Sequence, residues 1–144
     1  MKVKEIMTAD PAVCTADASI ADAARLMSTH DCGEIPVVDN RETRKPVGVI
    51  TDRDIACRAV ANGKGPDTKV ADVMSNDVVT CEPDADVQDC IDKMEQYQLR
   101  RIPIVDAQGR ICGIVAQADL ANKTSHRETA RVVRDVSQPT QVTL

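Results

Sequence analysis

The stretch Gly-Val-Ile-Thr-Asp-Arg-Asp, residues 48–54, is a short apolar strand that ends in a hydroxyl and an acid and runs directly into a helix. Such a junction presents unpaired backbone N–H groups, which suit a phosphate or another anion. Thr51 adds a hydroxyl donor, and Asp54 is placed to accept from the hydroxyls of a ribose. The same residue types are also ordinary helix caps. The stretch alone therefore predicts either a nucleotide-binding turn or a simple cap.

The pattern around this stretch occurs twice in the chain. Most matching positions lie 67 residues apart, and the spacing falls to 65 after a two-residue shortening of one turn. The matching pairs are residues 3–7 with 70–74, Cys14 with Cys81, 35–39 with 102–106, Gly48 with Gly113, and Asp54 with Asp119. So many matches in one order indicate a tandem duplication of a strand, helix, strand, strand, helix unit.

The duplication sets the predicted domain organisation. Repeat 1 spans residues 1–62, a linker rich in Gly, Pro and Lys spans 63–69, and repeat 2 spans 70–122. The remainder, 123–144, is predicted to hold a short helix at about 126–136 and a tail. One repeat is too small to bury a stable core alone. We therefore predict an α/β (α+β) fold of two pseudo-twofold repeats, packed sheet to sheet, each with a three-stranded sheet and two main helices.

Repeat 1 also gives detailed expectations for its helices and strands. Apolar spacing predicts a helix over residues 19–29 that ends at Gly33, and a second helix over 52–62 that ends at Gly63. Pro36 suits either an edge position or the start of the strand 35–38. The residues expected on the buried face of the first helix are Ile20, Ala23, Ala24 and Met27.

Composition excludes several classes of function. The net charge of -5 and a single aromatic residue, Tyr97, argue against nucleic-acid binding. No apolar run is long enough to span a membrane, and no secretory signal is visible, which predicts a cytoplasmic protein whose six cysteines are reduced. No cysteine pair has CxxC spacing, no phosphate-binding P-loop motif occurs, and no catalytic triad is recognisable. We therefore predict no catalytic residue and no metal site.

Together these motifs resemble a family, the CBS domain pair or Bateman module. The resemblance rests on two copies of VxxhM, IPVVD and a glycine-led strand with a following aspartate, over residues 3–121. The segments TDRDI and QLRRIPIVD look most like small free-standing bacterial CBS-pair proteins, including the hypoxic-response type. The resemblance implies a non-enzymatic fold that commonly forms homodimers. It also implies adenosine-containing ligands in the clefts between repeats, such as AMP, ADP, ATP, NAD or S-adenosylmethionine, with no cofactor required.

The family pattern also implies roles for individual residues. Thr51 would face a phosphate and Asp54 the ribose hydroxyls, while Arg100 and Arg101 would reach phosphates through their forks of donors. The remaining implied contacts are Thr80, Cys81 and Ile102 with the adenine, and Arg53 as a weaker phosphate candidate.

The second cleft departs from this pattern. Asp119 is kept there, but Ala116 stands where repeat 1 has Thr51, and a carboxylate, Glu34, stands where repeat 2 has Arg101. We therefore predict one good nucleotide site and a second that is weak, empty or suited to a less negatively charged nucleoside.

The resulting prediction is a ligand sensor that signals to a target protein or through its dimer interface. A structural or interaction dimer with a vestigial cleft is the alternative. A thiol-responsive or metal-responsive protein is a third class.

Overall fold

The structure is a computed structural model that describes residues 1–123. The predicted helix at about 126–136 and the tail lie outside the described residues. Within the described part of the chain, no helix combines the length and the apolar character needed to cross a membrane. The prediction of a mixed α/β fold is confirmed, since residues 1–123 form two three-stranded sheets and four α-helices.

The helices and strands follow the predicted order with two differences: repeat 1 has an additional short strand near its start, and the first strand of repeat 2 is only an isolated bridge at Cys81. Repeat 1 contributes β1, Thr8–Ala9, β2, Cys14–Thr15, α1, Ile20–His30, β3, Glu34–Val38, β4, Pro46–Thr51, and α2, Asp52–Asp54. The α2 helix continues through a π-helical stretch, Ile55–Ala59, and a 3-10 turn, Val60–Asn62. Repeat 2 contributes α3, Val87–Tyr97, β5, Arg101–Val105, β6, Ile111–Ala116, and α4, Gln117–Lys123. Short 3-10 turns at Val3–Glu5 and Val70–Asp72 begin the two repeats.

Each sheet has the same internal plan. In one sheet the strand order is β2-β3-β4, with β2 parallel and β4 antiparallel to β3. In the other, the order is β1-β6-β5, and Cys81 forms an isolated parallel bridge to Ile104. That bridge is the repeat-2 counterpart of the pairing between Cys14 and Val37. The duplication seen in the sequence is therefore also a duplication of strand register.

The chain forms two compact units that are not contiguous in sequence. The N-terminal unit contains Asp10–Val78 and Asp106–Ile111, and the C-terminal unit contains Met1–Ala9, Val79–Val105 and the described residues from Cys112 onward. Each unit has its own buried apolar cluster. The segment that opens repeat 1 packs in the C-terminal unit, where Val3 and Ile6 are fully buried. The segment that opens repeat 2 packs in the N-terminal unit, where Val70 is fully buried.

The first helix differs in two details from the prediction. Asp31, in the left-handed conformation with φ 50°, caps α1, so the helix does not end at Gly33. Gln98 has the same role and a φ of 53° at the end of α3. Ala24 is exposed, whereas Ile20, Ala23 and Met27 are buried as predicted. A Cβ on Gly33 would lie 2.9 Å from the carboxylate of Asp52, an exposed side chain that can move aside.

The edge alternative for Pro36 is wrong, because β3 is the central strand, and Pro36 is the third residue of that strand rather than its first. The corresponding Pro103 of β5 explains why a proline is tolerated. Cys81 donates its N–H to the Pro103 carbonyl at 3.1 Å, and the amide nitrogen of a strand residue points to the same side as its carbonyl. The side of the proline that lacks an N–H therefore faces the short segment at Cys81 and not the antiparallel strand β6. No hydrogen bond between β5 and β6 is lost, and the same holds for Pro36 between β3 and β4.

Gly48, the third residue of β4, is required by a close backbone approach. Val49 and Ser75 exchange two backbone hydrogen bonds of 2.9 Å. A Cβ on Gly48 would lie 2.6 Å from the Ser75 carbonyl oxygen and 3.0 Å from the Met74 sulfur. A Cβ on Gly113 of β6 would overlap the Met7 side chain and would lie 3.2 Å from the Thr8 carbonyl oxygen.

We predict that Gly48→Ala lowers the free energy of unfolding by about 1–3 kcal/mol, because a backbone oxygen cannot move aside as a flexible side chain can. The matched control is Gly65→Ala in the linker, where a Cβ meets nothing within 4 Å. This control should change stability by less than about 0.5 kcal/mol. Urea denaturation of both variants measures the difference, and equal midpoints would contradict the assignment.

Candidate functional site

The turn from β4 into α2 is closed by a reciprocal capping box. The Asp54 N–H donates to Thr51 Oγ1 at 3.0 Å, and the Thr51 N–H donates to Asp54 Oδ2 at 3.0 Å. Thr51 has the extended conformation of an N-cap residue. The helix-cap alternative raised by the sequence is therefore realised in the structure.

The capping box leaves part of each side chain available. A hydroxyl that accepts one hydrogen bond still has its own proton to donate, so the Thr51 O–H can donate to a ligand oxygen. Asp54 Oδ1 lies 3.7 Å from Arg58 Nε, and the Asp54 side chain is 15% exposed. Arg58 in turn donates to the backbone carbonyls of Val73 and Met74, at 3.4 and 3.3 Å. The carboxylate is therefore held in one orientation from two sides. Arg53, the weaker candidate, is exposed.

The corresponding turn of repeat 2 keeps the cap and lacks the hydroxyl. The Ala116 N–H donates to Asp119 Oδ2 at 2.8 Å. The Thr8 hydroxyl donates to Asp119 Oδ1 at 3.3 Å. Each oxygen of Asp119 therefore accepts a hydrogen bond within the C-terminal unit. Asp119 has less capacity to accept from a ligand than Asp54 has.

Arg100 and Arg101 lie at the start of β5, beside the start of α4. The Gln117 N–H donates to the Arg100 carbonyl at 3.2 Å. The N-terminal unit repeats this contact, with the Asp52 N–H donating to the Gly33 carbonyl at 2.9 Å. The backbone geometry is thus shared by the two repeats, but the side chains differ in charge. Arg100 is exposed and Arg101 is half-buried, so the guanidinium groups give this position of the C-terminal unit a positive charge.

The three residues predicted to contact adenine differ in burial. Ile102 is fully buried in the apolar cluster of the C-terminal unit. Thr80 and Cys81 line a cavity of about 410 Å³ within the same unit. The volume of this cavity lies in the range of small-molecule sites, roughly 300–1,000 Å³. The other lining residues are Glu82, Ala85, Asp89, Asp92, Lys93 and Val105.

The charged residues of this cavity were missed by the sequence analysis. Asp89, Asp92 and Lys93 come from α3, and their spacing of three and four residues places them on one helix face. Lys93 Nζ donates to the Thr80 carbonyl at 2.7 Å, which holds the ammonium next to the lining residues. Three carboxylates and one ammonium give the lining a net negative charge, which disfavours a phosphate there. The spacing of Asp89, Asp92 and Lys93 along α3 could have predicted that they share a face, and the face could have been placed next to the short segment at Thr80 and Cys81.

Cys81 has an unusual electrostatic environment. The neighbouring Cys90, the Glu82 N–H and the Lys93 ammonium act to lower the pKa of Cys81, whereas burial and Asp89 act to raise it. The neighbouring Cys81, together with burial, raises the pKa of Cys90.

The predicted residues thus divide between the two units. Thr51, Arg53 and Asp54 lie together at one turn of the N-terminal unit. The members in the C-terminal unit are Thr80, Cys81, Arg100, Arg101, Ile102 and Asp119. Among the described residues, no three His, Cys, Asp or Glu side chains are grouped to hold a metal ion.

Comparison with known proteins gives a consistent result. A relative from Bacillus subtilis (strain 168), the CBS domain-containing protein YhcV, is 40% identical over 136 residues, which cover 94% of each chain. The structure of the CBS domain pair of protein MJ0100, in complex with 5′-methylthioadenosine and S-adenosyl-L-methionine, has a TM-score of 0.74 and 32% identity. That alignment covers 85% of this chain and 94% of the other.

A second solved structure is that of Hypoxic Response Protein I with two coordinated zinc ions. It has a TM-score of 0.77 and 28% identity, and the alignment covers 87% of this chain and 100% of the other. The CBS domain family model matches residues 3–59 and again residues 70–125. The chain therefore belongs to the CBS domain family and carries two copies of the domain.

Proposed function

We propose that this chain is a non-catalytic regulatory module that binds one adenine nucleotide, of the AMP, ADP, ATP or NAD type, and signals by a change of conformation. The observation that carries the proposal is the capping box at Thr51 and Asp54, which holds a free hydroxyl proton and a carboxylate oxygen side by side. Its support from comparison is the similar CBS pair in complex with S-adenosyl-L-methionine and 5′-methylthioadenosine.

The ribose is assigned to Asp54. A carboxylate accepts from the two vicinal hydroxyls of a ribose, and charged hydrogen bonds contribute about 1.5–3 kcal/mol each. Because the Thr51 N–H and Arg58 already fix the orientation of the Asp54 carboxylate, little side-chain entropy is lost on binding.

The phosphates are assigned to Thr51, Arg100 and Arg101. Guanidinium groups bind phosphate through two parallel hydrogen bonds, and the Thr51 hydroxyl adds a neutral donor. The positions that correspond to the two arginines in repeat 1 are Gly33 and Glu34, which have no positive charge. This difference in charge is the reason that we propose one nucleotide per chain.

The signal would arise because nucleotide binding and the conformation of the chain are thermodynamically coupled. A nucleotide shifts the equilibrium between two conformations only by its difference in affinity for them. We propose that the chain works as a homodimer and that a target protein, or the dimer contact itself, responds to the favoured conformation.

An alternative function is a structural or interaction dimer whose ligand residues are vestigial. The observation in its favour is that Thr51 and Asp54 satisfy each other's backbone N–H groups. The turn is therefore complete without a ligand. The two variants described next distinguish the two functions.

We predict that Asp54→Asn weakens the affinity for AMP by about 10- to 100-fold, because it removes the charge that strengthens the ribose contact and keeps an oxygen for the cap. Isothermal titration calorimetry with AMP, ATP, NAD and S-adenosylmethionine gives the affinities and the stoichiometry. The matched control is Ser19→Ala, which removes a capping box of the same type from α1. This control should cost about 1 kcal/mol of stability and leave the affinity unchanged. Flat titrations of folded, nucleotide-free wild-type protein would favour the interaction dimer.

We predict that Arg100→Ala and Arg101→Ala reduce the affinity for ATP more than the affinity for adenosine, since only the nucleotide presents phosphate oxygens to a guanidinium. At least one of the two should lower ATP affinity by about tenfold or more. The control is Arg41→Ala, which removes an exposed arginine from the turn between β3 and β4. Equal losses for ATP and adenosine would contradict the phosphate assignment.

A further inference from the structure

Arg58 joins the turn that carries Asp54 to the segment that opens repeat 2. Its Nε lies 3.7 Å from Asp54 Oδ1, and its Nη1 donates to the carbonyls of Val73 and Met74 at 3.4 and 3.3 Å. These two carbonyls directly follow the 3-10 turn Val70–Asp72. All of these residues belong to the N-terminal unit. One guanidinium group therefore contacts both the proposed ribose acceptor and the opening segment of the other repeat.

The helix that carries Arg58 is irregular at this point. Arg58 is the fourth residue of the π-helical stretch Ile55–Ala59. Stretches of this kind are rare and are found mostly at functional sites. Arg58 follows Asp54 by four residues, a spacing at which helical side chains meet. The Arg58 side chain is 55% exposed, so its ion pair with Asp54 contributes little to the overall stability of the fold.

The contacts of Arg58 close a ring of interactions. From its two carbonyl partners the chain continues to Ser75, which exchanges two backbone hydrogen bonds of 2.9 Å with Val49 of β4. Strand β4 leads to Thr51, whose N–H donates to Asp54 Oδ2 at 3.0 Å. The other carboxylate oxygen of Asp54, Oδ1, is the one that faces Arg58. A change at this carboxylate therefore alters a contact that holds the opening segment of repeat 2.

The C-terminal unit makes the corresponding connection with a different side chain. The Thr8 hydroxyl donates to Asp119 Oδ1 at 3.3 Å. Asp119 is the counterpart of Asp54, and Thr8, which follows the opening segment of repeat 1, is the counterpart of Ser75. In both units the carboxylate of the turn thus contacts the start of the other repeat, once through a hydroxyl and once through a guanidinium. The connection is therefore a feature of the duplicated scaffold.

We propose that Arg58 is a positioning residue that couples the Asp54 carboxylate to the opening segment of repeat 2. Ribose hydroxyls that donate to Oδ1 would share this oxygen with the guanidinium, so that a bound nucleotide changes the hold of Arg58 on Val73 and Met74. The nature of the ligand rests on the function proposed above, whereas the coupling is a property of the chain without ligand. By thermodynamic reciprocity, a partner that stabilises or displaces the opening segment changes the nucleotide affinity by the same factor.

The first test uses the full chain without ligand. Asp54→Asn keeps an oxygen for the cap and removes the charge that attracts Arg58. Hydrogen exchange of the Val49 and Ser75 amides, followed by nuclear magnetic resonance, should then be about two- to fivefold faster, as expected for the loss of an ion pair of this exposure. The matched control is Asp22→Asn, which removes the same charge from the capping box of α1 and should leave both rates unchanged.

A double-mutant cycle separates coupling from a merely structural role. Arg58→Met keeps an unbranched side chain that favours the helix and removes the guanidinium. In this background Asp54→Asn should change the two exchange rates at least about twofold less than it does in the wild-type chain. Any effect through the cap is equal in both backgrounds and cancels. Equal effects in both backgrounds, or unchanged rates after Asp54→Asn in the wild-type chain, would overturn the proposal.

A titration with AMP then separates this proposal from the nucleotide function. The Ser75 amide resonance of the wild-type chain should shift in parallel with that of Asp54, and in Arg58→Met the Ser75 shift should fall by at least about half while Asp54 still responds. A Ser75 shift of the same size in both chains would contradict the role of Arg58. If AMP shifts neither amide in the wild-type chain, the nucleotide function fails, and the exchange rates without ligand still decide whether Arg58 couples the two sites.

Discussion

The fold depends on two close approaches. Strand β4 of repeat 1 lies against the segment that opens repeat 2, and strand β6 of repeat 2 lies against the segment that opens repeat 1. At Gly48 the backbone lies against Met74 and Ser75, and at Gly113 it lies against Met7 and Thr8. A Cβ on Gly48 would overlap the Ser75 carbonyl oxygen, and a Cβ on Gly113 would overlap the Met7 side chain. The consequence is that each compact unit contains chain from both repeats, so neither sequence repeat corresponds to a complete unit. The same strand continues into the turn that carries Thr51 in one unit and Ala116 in the other.

Much of this architecture was predictable because the same sequence pattern occurs in both repeats. The positions of the strands 35–38 and 47–50, the two main helices of repeat 1 and the cap at Thr51 follow from local patterns. The pairing of each opening segment was not predictable, since residues 3–7 and 70–74 have the same pattern and fit either sheet. Helix ends at Asp31 and Gln98 were missed because a non-glycine residue adopts the left-handed conformation there.

The candidate site was predictable in part for a related reason. Thr51 and Asp54 are neighbours on one turn, so local chemistry identifies them, and their capping geometry follows. The position of Lys93 beside Thr80 depends on how a helix packs on a strand. The only sign of it in the sequence is that repeat 1 has Leu26 where repeat 2 has Lys93. The two repeats thus share backbone contacts, while their side chains have diverged in charge.

The central claim is that a nucleotide contacts the capping box of the N-terminal unit. Nitrogen-15 correlation spectra of the labelled protein, recorded during titration with AMP, test it most directly, because the amides of Thr51 and Asp54 donate to the side chains that would meet the ligand. The account predicts saturable shifts of these two amides, with the Ser19 and Asp22 amides of the other capping box unchanged. Shifts that leave Thr51 and Asp54 unmoved, or no shifts with any adenine nucleotide, would contradict it.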